Sequence, residues 1–271
     1  MLGNSRYAPV ISIVTVVLND IDSIEKTILS VLENKDSKIE YIIIDGGSTD
    51  GTKAIIDRYK DQIDIVISEP DNGLYDAMNK GIAKSSGIVI GLLNSGDYYE
   101  VGALKQLSNL VNQYGPNIIY YSDAFLAYAD LNIKRLMRAN LAKLNQGMSI
   151  CHQAAFVPRA MYIQYGYYSL DYRFGSDFAF LLKLYLSKET FKYCKTPLVT
   201  FSTGGLSDSQ IFYSRLENIK ILFRLNSPRK YVGAFHYCFE VLQMYGYKVI
   251  IYIAGAKIAS ILRAKLFHRK D

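Results

Sequence analysis

The sequence has no tryptophan, and only three histidines, six prolines and three cysteines in 271 residues. Cys151, Cys194 and Cys238 stand far apart and form no C-x-x-C pair. An odd count without a framework argues against a disulfide scaffold and against structural zinc, and points to a reducing compartment. Charged residues are 21% and hydrophobic ones 50%, which excludes a disordered chain and suits one large α/β domain with room for an appendage. Long apolar runs are also missing at the start. Residues 1–9 hold one Arg and no apolar stretch before a cleavage site, and the run at 10–18 is too short to cross a bilayer. A cytoplasmic protein is expected.

Positive charge is scarce over most of the chain. The net charge is +6, yet residues 224–271 alone carry nine Lys/Arg against two Asp/Glu. The other 223 residues therefore sum to −1, which speaks against a nucleic-acid groove on the main body. What the chain has in plenty is tyrosine, 23 of them with 12 Phe. A ring face stacks on sugar C–H groups while the hydroxyl makes hydrogen bonds, although tyrosine also fills ordinary half-buried positions.

Hydrophobic periodicity divides the first hundred residues into alternating elements. Strands are expected at 10–18, 41–44, 63–67 and 88–93, and helices at 22–32, 52–59 and 74–83. Such alternation with fully apolar strands predicts a mostly parallel sheet with helices on both faces. Ligands of these sheets sit outside the carboxyl ends of the strands, here the loops after Leu18, Ile44, Ile67 and Leu93. Beyond Gly102 the pattern loosens. Helices are expected at 104–111, at 177–186 with Ser176 as cap, and at 212–225, with a strand at 118–121 and one or two helices from Tyr231 onward.

Three loops hold the residues with chemistry. The first reads Asp45-Gly46-Gly47-Ser48-Thr49-Asp50-Gly51-Thr52. Its glycines allow a sharp turn, Ser48, Thr49 or Asp50 can cap the next helix, and Asp45 is left at the end of an apolar strand. That carboxylate either makes a loop hydrogen bond or accepts a donor from a ligand such as the N3–H of uracil. The second runs from Glu69 through Asp71-Asn72-Gly73-Leu74-Tyr75-Asp76-Ala77-Met78-Asn79-Lys80. Asp71 or Asn72 can cap this helix, and Asn72, Asp76, Asn79 and Lys80 share its polar face, as a solvated helix would also have. The third, Leu93-Asn94-Ser95-Gly96-Asp97, aims an amide and a carboxylate at the crevice, a pattern suited to Mg²⁺ or Mn²⁺ or to capping near Val101.

In this order and spacing the three stretches closely resemble family 2 glycosyltransferases of the GT-A fold, in the bacterial branch that builds exopolysaccharide and O-antigen repeat units. The likeness is tight over residues 10–104 and sparser to about Ser207. It implies an α/β, Rossmann-like, mostly parallel sheet flanked by helices over residues 1–207, with a nucleotide-binding half (1–104), an acceptor half (105–207) and a C-terminal helical extension (208–271). The implied activity is inverting, metal-dependent hexosyl transfer from a nucleotide sugar, UDP-linked hexose or N-acetylhexosamine, to a hydroxyl of a polyprenyl-diphosphate-linked saccharide.

The resemblance also assigns roles. Asp45 matches the nucleobase-binding residue, with Val16 and Asn19 lining that pocket, and Gly73, Asn79 and Asn94 join the nucleotide-sugar site. Asp97 matches the last carboxylate of the Asp-x-Asp motif that holds Mn²⁺ or Mg²⁺ on the donor diphosphate. Asn94 and Gly96 stand where many members have Asp, which leaves one metal carboxylate. Asp177, in Phe174-Gly175-Ser176-Asp177, matches the catalytic base; without the family it reads as an acid in the first turn of a helix. The stretch Cys151-His152-Gln153-Ala154-Ala155-Phe156 also has a family counterpart. His152 there is a candidate for the diphosphate, the metal or the acceptor, or else a core histidine. Gly204 and Gly205 belong to a loop that closes over the donor. Arg215 and Arg224 are diphosphate candidates or solvated helix cations.

The tail is separate. Eight apolar residues at 249–256 lie between Lys248 and Lys257, followed by apolar positions interleaved with Arg263, Lys265, Arg269 and Lys270. That pattern fits a basic amphipathic helix on an anionic membrane surface, or a helix packed on the domain or in a homodimer. Other classes fare worse. Val17-Leu18-Asn19-Asp20 has no glycine, against a dinucleotide oxidoreductase, and no G-x-x-x-x-G-K-[ST] occurs. A nucleotidyltransferase lacks its Gly/Arg-rich first loop. A non-catalytic nucleotide-sugar-binding module stays open because the metal motif is reduced.

Overall fold

A computed structural model describes residues 10–128, 133–203 and 210–254, the last eleven of these by backbone alone. The first half alternates as its periodicity predicts: β1 (Ile11–Val17), α1 (Ile24–Leu32), β2 (Ile39–Asp45), α2 (Thr52–Arg58), β3 (Ile65–Ser68), α3 (Leu74–Lys84) and β4 (Val89–Asn94). β1 pairs in parallel with both β2 and β4, and β2 with β3. Every residue of β1 is buried, so its two-residue period feeds two cores. Ile11, Ile13 and Val17 pack with Ile24 and Ile28 of α1, while Val14 and Val16 pack with Met78 and Ile82 of α3. A Cβ on Gly81 would stand 2.2 Å from Val14 Cγ1, so α3 rests on the sheet at a distance that only glycine allows.

The second half is mixed. It comprises β5 (Tyr98–Tyr99), α4 (Ala103–Tyr114), β6 (Ile119–Tyr128), β7 (Ile133–Met137), β8 (Ala155–Pro158), α5 (Arg159–Tyr165), α6 (Ser176–Leu186), β9 (Phe191–Ser202), α7 (Ile211–Arg224) and α8 (Lys230–Ala254). The single sheet runs β3-β2-β1-β4-β8-β6-β9-β5, with β7 on β6. β8 is antiparallel to β4 and to β6, whereas β6 and β9 are parallel. Strand β9 has no apolar alternation to announce it. Only Cys194 and residues 198–200 of its twelve are buried, and the rest includes Lys192, Lys195 and Pro197.

One cap differs from expectation. Ser176 is already the first helical residue of α6 and its hydroxyl is buried with no protein partner, so it caps nothing. Glu217 of α7 instead anchors the chain that leads into α6, accepting the backbone N–H groups of Arg173 (2.9 Å), Phe174 (2.6 Å) and Gly175 (2.8 Å). A carboxylate beside that helix start suits the dipole. Helix α2 is capped from the expected trio, by Asp50 through the Thr52 N–H (2.9 Å). Those Thr52 hydrogen bonds hold the Asp50 carboxyl below its ordinary range.

α7 and α8 pack on the rest of the molecule. Ile221, Leu222 and Tyr237 belong to the same buried cluster as Phe178 and Leu182 of α6. The Tyr237 hydroxyl accepts the Met148 N–H at 2.8 Å. The other side of α8 exposes Tyr231, Phe235, Phe239 and Leu242 at three- and four-residue spacing, one apolar stripe along the helix. Among the described residues no helix is long and apolar enough to cross a membrane. The basic segment at 255–271 lies outside the described residues.

Candidate active site

At the carboxyl ends of β1 and β4 the two halves enclose a cleft of about 1680 Å³. The loops of the first half are stitched together before any ligand is considered. Asn19 donates its N–H to Ser48 Oγ (2.8 Å) and accepts the Thr49 N–H on Oδ1 (2.8 Å). Asp20 N–H reaches Thr52 Oγ1 (2.9 Å), and Ile21 N–H reaches Asp50 Oδ2 (3.0 Å). Val16, Asn19, Gly73 and Asn94 all line the cleft, as do Asp97, His152 and Asp177. Gly73 has φ +110°, a backbone state that only glycine adopts without strain, and it starts α3 on the cleft wall.

Two expected ligand contacts lie elsewhere. Asp45 is fully buried and does not line the cleft, and its oxygens accept the Ser48 N–H (3.0 Å) and the Ser68 hydroxyl (2.6 Å). In this conformation it shapes the Gly-Gly turn. Asn79 lies off the cleft and braces the segment between α5 and α6, donating to the Tyr168 carbonyl (2.8 Å) and accepting the Tyr168 N–H (3.0 Å). Gly204 and Gly205 lie outside the described residues. Arg215 lines the cleft and pairs with Glu240 of α8 at 2.8 Å, whereas Arg224 is exposed and faces Asp171.

Asp97 is 4% exposed. Gln153 Nε2 donates to its Oδ2 (2.6 Å) and the Ser202 N–H to its Oδ1 (2.9 Å). Burial pushes its carboxyl up to about 7, against the Ser202 hydrogen bond, the His152 charge and the Gln153 hydrogen bond, which favour the ionised form. A nearby cation would reverse the balance. Asn94 Oδ1, three residues earlier, is buried and has no protein partner. One carboxylate and one free amide oxygen are hard donors, and they fit a Mg²⁺ or Mn²⁺ that takes most of its ligands from phosphate and water. Among the described residues no group of three His, Cys, Asp or Glu could cage a metal without such help.

Asp177 sits in the first turn of α6, its side chain 13% exposed. The Tyr75 hydroxyl donates to Oδ1 (2.9 Å), and His152 Nδ1 approaches Oδ2 at 3.1 Å. Burial raises the Asp177 carboxyl, but the His152 charge and the two side-chain hydrogen bonds outweigh it and hold it below the ordinary range. Consecutive residues of the 3₁₀ turn His152–Ala154 thus serve two carboxylates, His152 meeting Asp177 and Gln153 meeting Asp97. The neighbouring Cys151 thiol is driven up to about 12 by burial and is inert.

Periodicity and motif missed Tyr75, Gln153 and Glu217, which hold the site from other elements. Missed too were the cations Arg138, Lys143 and Arg173, which line the same cleft as Arg215 of α7. No local signal marks them, because an Arg on a strand or loop reads as solvated until the fold closes over it.

Comparison with known proteins agrees with this fold. The model for "Glycosyl transferase family 2" matches residues 12–166. An uncharacterized glycosyltransferase of Mycobacterium tuberculosis is 30% identical over 203 residues, covering 73% of this chain and 77% of the relative. A PGL/p-HBAD biosynthesis glycosyltransferase of Mycobacterium bovis is 26% identical over 224 residues, 80% of this chain and 87% of its own. Among solved structures, Staphylococcus aureus TarS 1–349 with UDP-GlcNAc superposes with a TM-score of 0.65 at 14% identity, over 79% of this chain and 65% of that one. The mannosyltransferase PcManGT of Pyrobaculum calidifontis with GDP-Man and Mn²⁺ gives 0.66 at 14% identity, over 96% and 79%. The fold is the GT-A fold expected from the loop motifs, and the chain belongs to glycosyltransferase family 2.

Proposed function

We propose that the chain is an inverting transferase that moves a hexose or N-acetylhexosamine from a nucleotide sugar, UDP-linked by preference, to a hydroxyl of a polyprenyl-diphosphate-linked saccharide, in the synthesis of a surface polysaccharide such as an exopolysaccharide or O-antigen. The observation that carries it is one cleft with Asn94 and Asp97 at the end of β4 and the His152–Asp177 pair facing the same space. In support, neighbours of the same fold hold UDP-GlcNAc, or GDP-Man with Mn²⁺. A relative from Bacillus subtilis, 33% identical over 113 residues, is described as a putative teichuronic acid biosynthesis glycosyltransferase.

In this reading the nucleotide lies along Val16, Asn19 and Gly73, with Asp45 beneath them keeping the loop in shape. Asp97 and Asn94 would hold Mn²⁺ or Mg²⁺, which supplies charge neutralisation for the departing diphosphate. The acceptor hydroxyl loses its proton to the Asp177–His152 pair as its oxygen attacks the anomeric carbon from the face opposite the leaving group. The lipid-linked acceptor brings the enzyme to the inner face of the cell membrane. There the basic tail meets anionic lipid and the exposed stripe of α8, from Tyr231 to Leu242, extends the contact.

The test is a thermal-shift panel of nucleotide sugars with and without Mn²⁺. A ligand of the native state raises the melting temperature by mass action, so one base and sugar should stand out, and more so with metal. A flat response across the whole panel would refute donor binding.

A further inference from the structure

A carboxylate that is to take a proton has to be ionised first, and burial works against that. Asp177 lies in the first turn of α6, and both its oxygens receive donors, the Tyr75 hydroxyl at 2.9 Å and His152 Nδ1 at 3.1 Å. Burial favours the neutral acid; the His152 charge and hydrogen bond, the Tyr75 hydrogen bond and the Phe178 N–H reverse the balance. The two side-chain donors differ in kind. Histidine is the side chain whose charge changes near neutrality, so its help varies with pH. The Tyr75 hydroxyl keeps its proton, which burial first and the Asp177 charge second hold well above the ordinary range.

Tyr75 is also held where it is. It stands two residues after Gly73 on α3, in the same buried cluster as Met78 and Phe178. Its ring meets that of Tyr168 at a centroid distance of 5.6 Å, and Asn79, one turn further along α3, grips the Tyr168 backbone. Tyr168 in turn packs edge-on against Phe180 of α6 at 5.4 Å. One helix of the first half, whose first turn lines the cleft, thus reaches α6 directly through Tyr75 and indirectly through Asn79. The other titratable groups around Asp177 are Cys151 beside His152, Tyr168 before α6, and Glu217 of α7 on the N–H groups of residues 173–175. Burial keeps Cys151 and Tyr168 neutral, and the cations Arg138, Lys143, Arg173 and Arg215 line the cleft that Asp177 faces.

We propose that Tyr75 is a positioning residue of the transfer, its hydroxyl holding the Asp177 carboxylate charged and fixed in the cleft for the acceptor's proton. This rests on the transferase reading, with Asp177 as the group that takes the proton. A carboxylate offers about four lone-pair sites, so two donors leave room for a third. The acceptor O–H proton passes to Asp177, and the oxygen's lone pair forms the bond to the anomeric carbon. The bond from that carbon to the diphosphate oxygen breaks, and its electron pair leaves with the nucleoside diphosphate. Tyr75 keeps its own proton throughout. The base is thereby built from both halves of the molecule: His152 supports it from the second, and the helix that opens beside the nucleotide loops supports it from the first.

The experiment uses the full chain, the nucleotide sugar chosen by the thermal-shift panel with Mn²⁺, and water as acceptor, with nucleoside diphosphate release as readout. Tyr75→Phe keeps the ring and its packing and loses only the hydroxyl. The ratio of its kcat/KM to that of wild type cancels the titrations the two enzymes share, those of Asp97 and His152 among them. Without the hydroxyl Asp177 holds its proton to higher pH, so the deficit should be largest in acid and shrink as pH rises. At about pH 5 it should be roughly ten- to a hundredfold, the worth of a hydrogen bond to an ionised group, and by about pH 8 it should close to within a few-fold. In an Asp177→Asn background the same substitution should cost less than about twofold at either pH, because no charge is left to support. A loss equal at both pH values, or one that persists in the Asp177→Asn background, would make the role of Tyr75 structural and overturn the assignment. So would a Tyr75→Phe enzyme as fast as wild type at the lower pH. A wild type that binds no nucleotide sugar in the panel would instead sink the transferase reading, and this inference with it.

Discussion

The two walls of the cleft are built in opposite ways. One wall comes from consecutive strand ends and carries acids: Asp20, Asp71, Asp76 and Asp97. Its loops are tied to one another by bonds such as those from Asn19 to Ser48 and Thr49 and from Asp20 to Thr52. The other wall is collected from scattered elements and, beside Asp177, carries cations: Arg138 after β7, Lys143, Arg173 before α6, and Arg215 of α7, which pairs with Glu240. Carboxylates on one side suit a divalent cation and its diphosphate, while cations on the other suit a second anionic group that arrives without metal. Under the proposed function, the difference would let donor and acceptor enter from different sides.

The largest expected effect breaks the acidic wall. Asp97→Asn removes the one buried carboxylate available to a metal while keeping the shape that Gln153 and Ser202 bind. Transfer should fall about a hundredfold or more, given the several kcal/mol a metal supplies at a leaving oxygen. The extra thermal shift that Mn²⁺ adds to the donor should vanish as well. Both are read from nucleoside diphosphate release and melting curves. If the Asp97→Asn enzyme keeps its Mn²⁺ response, the metal sits elsewhere and the two walls do not differ as described.

A smaller effect should come from the basic wall. Replacing Arg138 or Arg173 by Gln removes a long cation from the cleft surface while keeping much of its reach and polarity. For an acceptor carrying a diphosphate, KM should rise about tenfold per lost charge-assisted contact, with the donor's dissociation constant unchanged. Initial rates over both substrates at two salt concentrations separate these. A rise in the donor constant instead would place the donor diphosphate on this wall and collapse the comparison.

The same contrast explains what could be read from residues alone. The acidic wall was legible because its strands follow one another and each ends in a short polar loop, so β-branched runs and Gly-Asp turns locate it before folding. The parallel order β3-β2-β1-β4 follows from the same alternation. Even there, the commitment of Asp45 to Ser48 and Ser68 could not be read, since Ser68 belongs to the next strand. The basic wall has no such pattern. Strand β9 is half polar, β6 continues past the apolar stretch that announces it, and the partners of Asp177 lie far upstream, one at His152 and another on α3. Resemblance located Asp177 and His152; only the fold joined them.

The smallest effect tests how each wall is held. Glu217 is the long-range tie of the second wall, gathering the N–H groups of residues 173–175 and so fixing the start of α6 beside Asp177. Glu217→Ala leaves those N–H groups without their acceptor, with Phe174 half-buried and Gly175 buried, and should cost roughly 1–3 kcal/mol of stability. Activity should drop only a few-fold, because Tyr75 and His152 still clamp Asp177 from the other side. On the first wall Ser48→Ala removes a single bond to the Asn19 N–H, and its neighbours Thr49 to Asn19 and Asp20 to Thr52 remain. Its cost should therefore stay below about 1 kcal/mol, the net worth of one neutral hydrogen bond. Denaturant melts of the two variants give the comparison directly. Equal losses would mean that the second wall has further ties, and that the distance in sequence between its parts does not make it the weaker of the two.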